Sequence, residues 1–339
     1  MFVLSRFIRL SSVFLSFSIV FITSTFSSPS QPTICLSQIV AHPALDATRQ
    51  GILDELALAG YTDGKGARIF LENAQGQVGT ALQIASKCKG VTADVIVALG
   101  TPMAQSALKG TAGTQIPLIF SSITDPLSAK LVAKLQAPGG RVSGVSNASS
   151  RVDQLALFIK ICPNMKRLGV VLNPGDANSV AAYKLLEVAA REMGITLVQA
   201  AASKTTEVAQ AAKSLATRVD ALYVDNDNTA LAGFSSIAKV ATSLKIPLFV
   251  SDTDMVPQGA LAALGPDQYQ LGRQTGQMIV RVLKGDSPGQ MDVGFPKENA
   301  LVINESVAKK IGITFPKDVL ALANKKNESL PLVPKRDNS

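Results

Sequence analysis

The sequence predicts an α/β protein with two lobes, each built around a parallel β-sheet. Runs of β-branched and apolar residues alternate with amphipathic helical patterns and are joined by short links, which favours right-handed β-α-β units. The alternation begins again near residue 151. The residues that follow the N-terminal leader, about 310, also exceed what one hydrophobic core usually supports. We therefore expect two halves, each with its own sheet.

The first half starts with the strand ICLSQIVA and ends with the short strand VSGVS, which follows a Pro-Gly-Gly turn. Its first helix is closed by Gly60, because glycine readily adopts the left-handed conformation at a helix C-terminus. The predicted strands lie at 34–41, 67–72, 94–99, 117–120 and 142–146, and the predicted helices at about 44–59, 78–89, 102–109 and 126–136.

The second half repeats this order, beginning with a helix. Its predicted strands lie at 167–172, 195–200, 220–224, 247–250 and 259–265, and its predicted helices at about 151–161, 177–193, 205–217 and 229–243. A long helix (267–285), a strand (301–304) and a helix (306–312) remain at the end. These leftover elements indicate that the lobes exchange elements across a hinge.

The predicted domain organisation follows from this order. The N-terminal lobe comprises residues 33–145 and 265–286, and the C-terminal lobe comprises residues 146–264 and 287–322. Residues 323–339 are rich in Lys, Asn, Pro and Ser, which predicts a disordered tail.

Residues 1–28 have the pattern of a secretory signal peptide. Arg6 and Arg9 precede an apolar stretch, and small residues follow it. A permanent membrane anchor is the alternative, but Ser and Thr interrupt the apolar run. Lipid attachment at Cys35 is disfavoured because the bulky Ile34 precedes it. We expect a soluble, exported, periplasmic protein. Without the leader the net charge falls from +8 to +6, which favours ordinary solubility over an acidic partner.

Three cysteines in an oxidising compartment allow at most one internal disulfide. Cys35 enters the first strand and Cys88 ends the second helical pattern, so the two could pair and leave Cys162 free. The alternative, three buried thiols that act as small apolar residues, stays open at this point.

The sequence lacks the usual signs of cofactor chemistry and covalent catalysis. His42 is its only histidine, which excludes a site with several His ligands. There is no dinucleotide fingerprint, phosphate loop, nucleophile elbow or CxxC pair. We therefore expect no enzyme, no cofactor and no metal. No helix-turn-helix pattern precedes the first strand, so no nucleic acid partner is expected either.

Polar side chains gather where the predicted strands end, which is the edge at which open α/β sheets bind ligands. Hydroxyl residues follow strands of the first half, whereas acidic residues follow strands of the second half. The former are Thr101, Ser121, Ser122 and Thr124, and the latter include Asp225, Asp227, Asp252 and Asp254. If the halves face each other, this division suits a zwitterion, with its carboxylate at the hydroxyls and its ammonium at the acids.

Helix capping is the alternative role for these acids. Capping is at least as good an interpretation as ligand contact for Asp125, Asp176 and Asp254, whereas Asp225 and Asp252 lie closer to strand ends and favour a ligand. His42 stands at the first strand-to-helix corner, where ligand contact and helix capping are both open.

A set of motifs in order along residues 33–322 resembles the ABC transporter substrate-binding proteins of the ABC-sub-bind type. The motifs are AHPALDATRQG, LENAQGQ, ALGTPMAQSA, FSSITDPLSAKLV, PGGRVSGVS, LNPGDANS, YVDNDNTA, PLFVSDTDMVPQGALAALGPDQYQLGRQTG and LVINESVAKKIGI. This resemblance implies the type I periplasmic binding protein fold, shared with leucine/isoleucine/valine-binding proteins. That fold has two Rossmann-like, doubly wound parallel-sheet lobes joined by a three-strand hinge.

The resemblance also implies a monomeric receptor that passes a small ligand, an amino acid and in some members an aromatic one, to an ABC permease and its ATPase. The implied ligand-binding residues are His42, Leu45, Thr101, Ser121, Thr124, Asp125, Asn173, Asn178, Asp225, Asn226 and Asp252. The family pattern often has Pro or Ala and then Thr before the Asp-Asn pair. Here Val224, Asp225 and Asn226 precede that pair, which leaves open which Asp meets an ammonium group.

With no tryptophan, an aromatic ligand would be enclosed by His42, Phe120, Tyr223 or Tyr269 together with aliphatic surface, so an aliphatic amino acid stays open. Two other functions also stay open. A periplasmic sensor or chemoreceptor adaptor would have the same pocket. A hydrolase or isomerase that uses the acidic residues is disfavoured, because no base is oriented by a second partner.

Overall fold

A computed structural model of the protein describes residues 31–324, which belong to one compact unit. The predicted signal peptide lies outside the described residues, as do residues 325–339 of the predicted tail; residues 323 and 324 end the last helix. Two six-stranded sheets organise the described chain. The fold class predicted from the sequence is confirmed.

The first sheet has the strand order β2-β3-β1-β4-β5-β6, and its paired strands are all parallel. β1 lies inside it and is buried along its whole length. The strands are β1 (Thr33–Gln38), β2 (Thr62–Asp63), β3 (Gly66–Asn73), β4 (Val95–Leu99), β5 (Leu118–Ile123) and β6 (Val142–Ser146), and the helices between them are α1 (Pro43–Leu58), α2 (Val78–Gly90) and α3 (Thr101–Gly110).

The chain then enters the second lobe through α4 (Arg151–Ile161). The second sheet has the order β12-β11-β10-β9-β7-β8, and only β12 runs antiparallel to its neighbour. Its strands are β7 (Arg167–Leu172), β8 (Thr196–Ala201), β9 (Ala221–Val224), β10 (Leu248–Val250), β11 (Ala262–Pro266) and β12 (Asn299–Ile303), and the helices that follow α4 are α5 (Ala177–Glu192), α6 (Val208–Ala216), α7 (Asn228–Ala232), α8 (Phe234–Ser243), α9 (Gln268–Leu283), α10 (Glu305–Ile311) and α11 (Lys317–Asn324).

Within residues 31–324 the chain passes between the sheets at three places: after β6, between β11 and α9, and before β12. α9 packs along α1 in the first lobe. Residues 288–290 form a 3₁₀ turn against β6, and Gly294 bridges to Val145 of the same strand. The last crossing therefore follows Gly294, after which β12 joins the second sheet.

Two predicted helices differ from the structure. Residues 126–136 form irregular turns, because Asp125 accepts hydrogen bonds from the backbone amides of Leu127 and Ser128 (both 3.0 Å) and Lys130 has a positive φ of 57°. The helix predicted at 229–243 is divided into α7 and α8 at Gly233. A Cβ atom there would lie 2.4 Å from Val208 Cγ2, so any side chain at this position would force Val208 of α6 to shift.

The contact between α1 and α9 depends on two glycines that let the backbones touch. A Cβ on Gly272 would lie 2.1 Å from the carbonyl oxygen of Thr48, and a Cβ on Gly51 would lie 2.1 Å from that of Tyr269. Because α1 and α9 both begin at the edge where the two sheets face each other, this contact sets the distance between their first turns.

We expect Gly272→Ala to lower the free energy of unfolding by about 2 kcal/mol, because backbone atoms cannot yield as a side chain does. Gly79→Ala is the matched control, since Gly79 also lies in a helix and its Cβ would meet open space. That control should be neutral or stabilising by about 0.5 kcal/mol. Urea unfolding measures the free energy of unfolding of both variants. Equal stabilities of Gly272→Ala and Gly79→Ala would contradict the expected clash.

Candidate ligand-binding site

A cavity lies between the lobes, where the carboxyl ends of both sheets meet the first turns of several helices. Its N-terminal wall comes from the corners after β1, β4 and β5, and its C-terminal wall from α5, α7 and the corners after β9 and β10. The lining residues are His42, Ala44, Leu45, Thr101, Ser122, Thr124, Asn147, Asn178, Asn226, Asn228, Leu231, Asp252 and Gln268. One wall is rich in hydroxyl groups, and the other carries amides and one acid, Asp252, where the sequence predicts several acids.

His42 both caps a helix and faces the cavity. Its Nδ1 accepts a hydrogen bond from the Leu45 amide (3.4 Å) at the start of α1. Burial lowers the pKa of His42 to about 4. The Asn228 side chain and the negative charge of Asp46 act to raise this pKa, but their effects are smaller. The ring is therefore neutral near pH 7, and because Nδ1 accepts, the proton belongs on Nε2. Nε2 is buried and has no hydrogen-bond partner of normal geometry among the described residues, with the Asn228 side chain nearby, so it offers one N–H donor.

The first turn of α3 forms the neighbouring part of this wall. Gly100 precedes it with φ 86°, and a Cβ there would lie 2.8 Å from Ile39 Cγ2, so glycine is required. The same Cβ would lie 3.8 Å from Asn228 Oδ1 of the second lobe, which shows how closely the walls approach. Thr101 Oγ1 is buried and meets no hydrogen-bond partner in the described part of the chain.

Two asparagines of the opposite wall have amide orientations fixed by their neighbours. Asn178 Nδ2 donates to the backbone oxygen of Asn226 (2.7 Å). Asn226 Oδ1 lies 2.8 Å from the Ser251 hydroxyl and shares its single proton with Asp252 Oδ2 (2.9 Å). The remaining atoms, Asn178 Oδ1 and Asn226 Nδ2, are buried and unpartnered within residues 31–324. One wall thus offers an amide acceptor and an amide donor. Asn147, at the first crossing between the lobes, likewise has an unpartnered buried Oδ1.

Asp252 is the acidic residue that lines the cavity. It is 2% exposed and accepts hydrogen bonds from Gln268 Nε2 (2.6 Å) and the Ser251 hydroxyl (2.9 Å). Burial raises the pKa of Asp252 to about 6, while these two hydrogen bonds oppose the rise. The carboxylate is therefore ionised at neutral pH and protonated in mildly acidic solution.

Asp225 is buried but does not line the cavity. Its carboxylate accepts from Arg151 Nε (2.9 Å) and pairs with a terminal guanidinium nitrogen of the same residue (2.7 Å). This two-point ion pair compensates the charge of Asp225 within the protein. Asp227 likewise serves the local structure, since it caps α7 through the Ala230 amide (2.8 Å) and accepts from the Asn173 amide (2.6 Å).

The structure brings most of the predicted site residues to the cavity: His42, Leu45, Thr101, Thr124, Asn178, Asn226 and Asp252. Four others do not line it. Ser121 bonds Thr275 (2.7 Å), Asp125 caps the turn after β5, Asn173 bonds Thr229 (2.8 Å) and Asp225 pairs with Arg151.

Three of the four aromatic residues suggested for a cage, Phe120, Tyr223 and Tyr269, also lie elsewhere. Phe120 belongs to the core of the first lobe, and the hydroxyls of Tyr223 and Tyr269 bond Gln154 and Asp54 (both 2.8 Å). The apolar lining is instead Ala44, Leu45 and Leu231. Besides His42, no aromatic side chain lines the cavity in the described chain.

Some lining residues were not among the predicted ligand-binding residues. Ser122 and Asn228 follow strands and carry the same signal as their predicted neighbours. Asn147 and Gln268 lie at crossings between the lobes, and no sequence pattern marks the side of a crossing that faces a cleft.

Comparison with known proteins identifies the family. Residues 33–327 match the family described as "ABC transporter substrate binding protein". The chain belongs to this family of ABC transporter substrate-binding proteins. It is 37% identical over 284 residues to a protein of Clostridioides difficile (strain R20291) named "Tyrosine-binding protein", covering 84% of this chain and 82% of the relative. The predicted family and a substrate-binding function with an ABC permease partner are confirmed.

Two solved structures, each 35% identical to this substrate-binding protein, differ in how well they superpose. The ABC domain from Streptococcus pneumonia in complex with L-Trp has a TM-score of 0.83 and covers 87% of this chain and 99% of its own. The ligand-free, open structure of a substrate binding protein with adhesive properties from Clostridium difficile has a TM-score of 0.64 and covers 85% and 97%. The substrate-binding protein therefore resembles the L-Trp complex more closely than the open structure.

Proteins of this family work outside the cytoplasm. Among the residues that the structure describes, we find no helix whose length and apolar character would let it cross a bilayer.

Proposed function

We propose that this substrate-binding protein binds a free amino acid as a zwitterion in the cavity between its lobes. The observation that carries the proposal is the set of buried, unpartnered polar atoms that line the cavity. Donors are His42 Nε2, Thr101 Oγ1 and Asn226 Nδ2, and acceptors are Asn147 Oδ1 and Asn178 Oδ1 beside the Asp252 carboxylate. Buried polar groups without partners are costly, so a ligand with matching groups stabilises this arrangement.

The donors match an α-carboxylate, which accepts several hydrogen bonds. The first turn of α3 lies beside Thr101 and adds the positive end of a helix dipole. The acceptors match an α-ammonium group, which has three N–H donors, and Asp252 supplies the opposite charge. Because His42 and Thr101 belong to one lobe and Asp252 to the other, one ligand bridges both walls and favours the closed form.

An aromatic amino acid is the ligand class we infer. Its ring would lie against Ala44, Leu45 and Leu231, the aliphatic part of the lining. The inference draws on the tyrosine and L-Trp of the relatives and on the resemblance to the L-Trp complex. The protein would then act as a monomeric, non-enzymatic receptor, exported to the periplasm by its signal peptide, and would release the amino acid to its permease.

Isothermal titration calorimetry with a panel of related compounds tests this proposal. We expect binding of L-tyrosine or L-tryptophan, and at least tenfold weaker binding of analogues that lack the α-carboxylate (tyramine) or have a blocked amine (N-acetyl-L-tyrosine). L-leucine separates aromatic from aliphatic preference. Equal affinity for tyrosine and tyramine would contradict the carboxylate site, and binding of sugars without amino acids would overturn the proposal.

We expect Asp252→Asn to weaken amino-acid binding by about 2 kcal/mol, roughly thirtyfold, because the ammonium loses a buried opposite charge. In the unsubstituted protein the affinity should fall as the pH drops below about 6, since protonation neutralises Asp252. Asp252→Asn should remove that pH dependence. Titrations at pH 5 to 8 measure both effects.

Asp286→Asn is the matched control, because Asp286 forms an exposed ion pair with Arg281. It should leave both the affinity and its pH profile unchanged. A pH profile that persists in Asp252→Asn would assign the titration to another acid, such as Asp176 or Asp254, for which burial raises the pKa to about 6 and about 7.

A further inference from the structure

Gln268 occupies an unusual place, at the first residue of α9, directly after the chain has crossed from β11 of the second lobe. From there α9 runs along α1 of the first lobe. The Gln268 side chain is 1% exposed and lines the cavity. It therefore lies where the ligand site meets a connection between the lobes.

Each end of the Gln268 amide contacts a different lobe. Nε2 donates to Asp252 Oδ1 at 2.6 Å, in the second lobe. Oε1 lies within hydrogen-bond distance of the hydroxyls of Thr48 (3.1 Å) and Ser122 (3.2 Å), in the first lobe. The reverse orientation would place Oε1 against an ionised carboxylate, so these neighbours fix the amide.

The groups around Asp252 decide how readily its carboxyl group ionises, and the hydrogen bond from Gln268 is one of these influences. Asp225 and Asp254 place negative charge near it and disfavour ionisation, whereas Arg151 favours ionisation, as do the hydrogen bonds from Ser251 and Gln268. The remaining titratable residue of the cavity lining, His42, is held neutral by burial. Of the two side chains in residues 31–324 that donate to Asp252, Ser251 and Gln268, only Gln268 also contacts the first lobe.

We propose that Gln268 is a positioning residue that holds the Asp252 carboxylate in its ionised state at the ammonium site and links that site to the first lobe through Thr48 and Ser122. Losing this side chain would weaken amino-acid binding in two ways. Asp252 would be protonated more readily, and the link that favours the closed arrangement of the lobes would be lost. This inference rests on the proposed amino-acid function.

The test compares Gln268→Met with the unsubstituted protein in titrations with L-tyrosine and L-tryptophan from pH 5 to 8. We expect about tenfold weaker binding at pH 7.5 and an upward shift of the affinity midpoint by about one pH unit. Gln154→Met is the control, because Gln154 is equally buried (1% exposed), donates to Leu264 O (2.7 Å) and does not line the cavity. The control should leave the midpoint unchanged.

A second variant covers the case in which Gln268→Met does not fold, as judged by circular dichroism. Thr48 does not line the cavity, but its hydroxyl lies 3.1 Å from Gln268 Oε1. Thr48→Val removes this hydroxyl and should weaken binding about threefold. Folded variants with affinities within twofold of the unsubstituted protein and an unchanged midpoint would overturn the inference, as would an equal midpoint shift in Gln154→Met. If the unsubstituted protein binds no amino acid, the proposed function fails first and takes this inference with it.

Discussion

Replacing Arg151 with methionine should lower the free energy of unfolding by about 3 to 5 kcal/mol, the largest effect we expect from one substitution. The side chains of Arg151 and Asp225 are 3% and 6% exposed, so the substitution leaves a carboxylate buried without its counter-charge. Arg151 also donates to the backbone oxygen of Ser149 (3.0 Å), on the first crossing between the lobes. Urea unfolding followed by circular dichroism measures the change.

Two further variants separate charge from packing. Arg151→Met combined with Asp225→Leu should recover part of the loss, because no unpaired charge remains buried. Arg281→Met breaks an exposed ion pair with Asp286 and should cost less than about 1 kcal/mol. If Arg151→Met stays within 1 kcal/mol of the unsubstituted protein, Asp225 must be compensated by another group, and our account of it is wrong.

Removal of the disulfide between Cys35 and Cys88 should lower the free energy of unfolding by about 4 kcal/mol. The bond joins β1 to the last turn of α2, with 5.9 Å between the Cα atoms, and spans 53 residues. Closing a loop of that length lowers the entropy of the unfolded chain. At 25 °C this loss stabilises the folded state by about 4 kcal/mol. Both cysteines are buried, so Cys35→Ala/Cys88→Ala also loses some packing.

The reducing agent dithiothreitol distinguishes the bond from the packing. The unsubstituted protein should lose stability when reduced, whereas Cys35→Ala/Cys88→Ala should be insensitive to reduction. Cys162→Ala is the control, since Cys162 is a free thiol; it should retain the full response to reduction. A response that disappears in Cys162→Ala instead would show that the pairing differs in solution.

The sequence predicted the order of strands and helices well because each depends on local periodicity. A run of apolar residues predicts β1, a helical pattern predicts α1, and a His-Pro pair predicts the corner between them. The sequence failed at 126–136, where the spacing suits a helix but the Asp125 carboxylate binds nearby amides and forms a turn. Side-chain competition with the backbone is hard to foresee from periodicity alone.

For the site, the sequence predicted the edge of the sheets and the polar side chains that gather there, and only the tertiary structure decided which of those residues line the cavity. Strand ends predict that His42, Thr101 and Asp252 lie near one cleft, because parallel strands place their carboxyl ends together. Asp225 and Asp252 carry the same local signal. Arg151, 74 residues from Asp225, neutralises one of them and leaves the other to the cavity. Such pairing over long separations depends on how the helices pack, which no local pattern encodes.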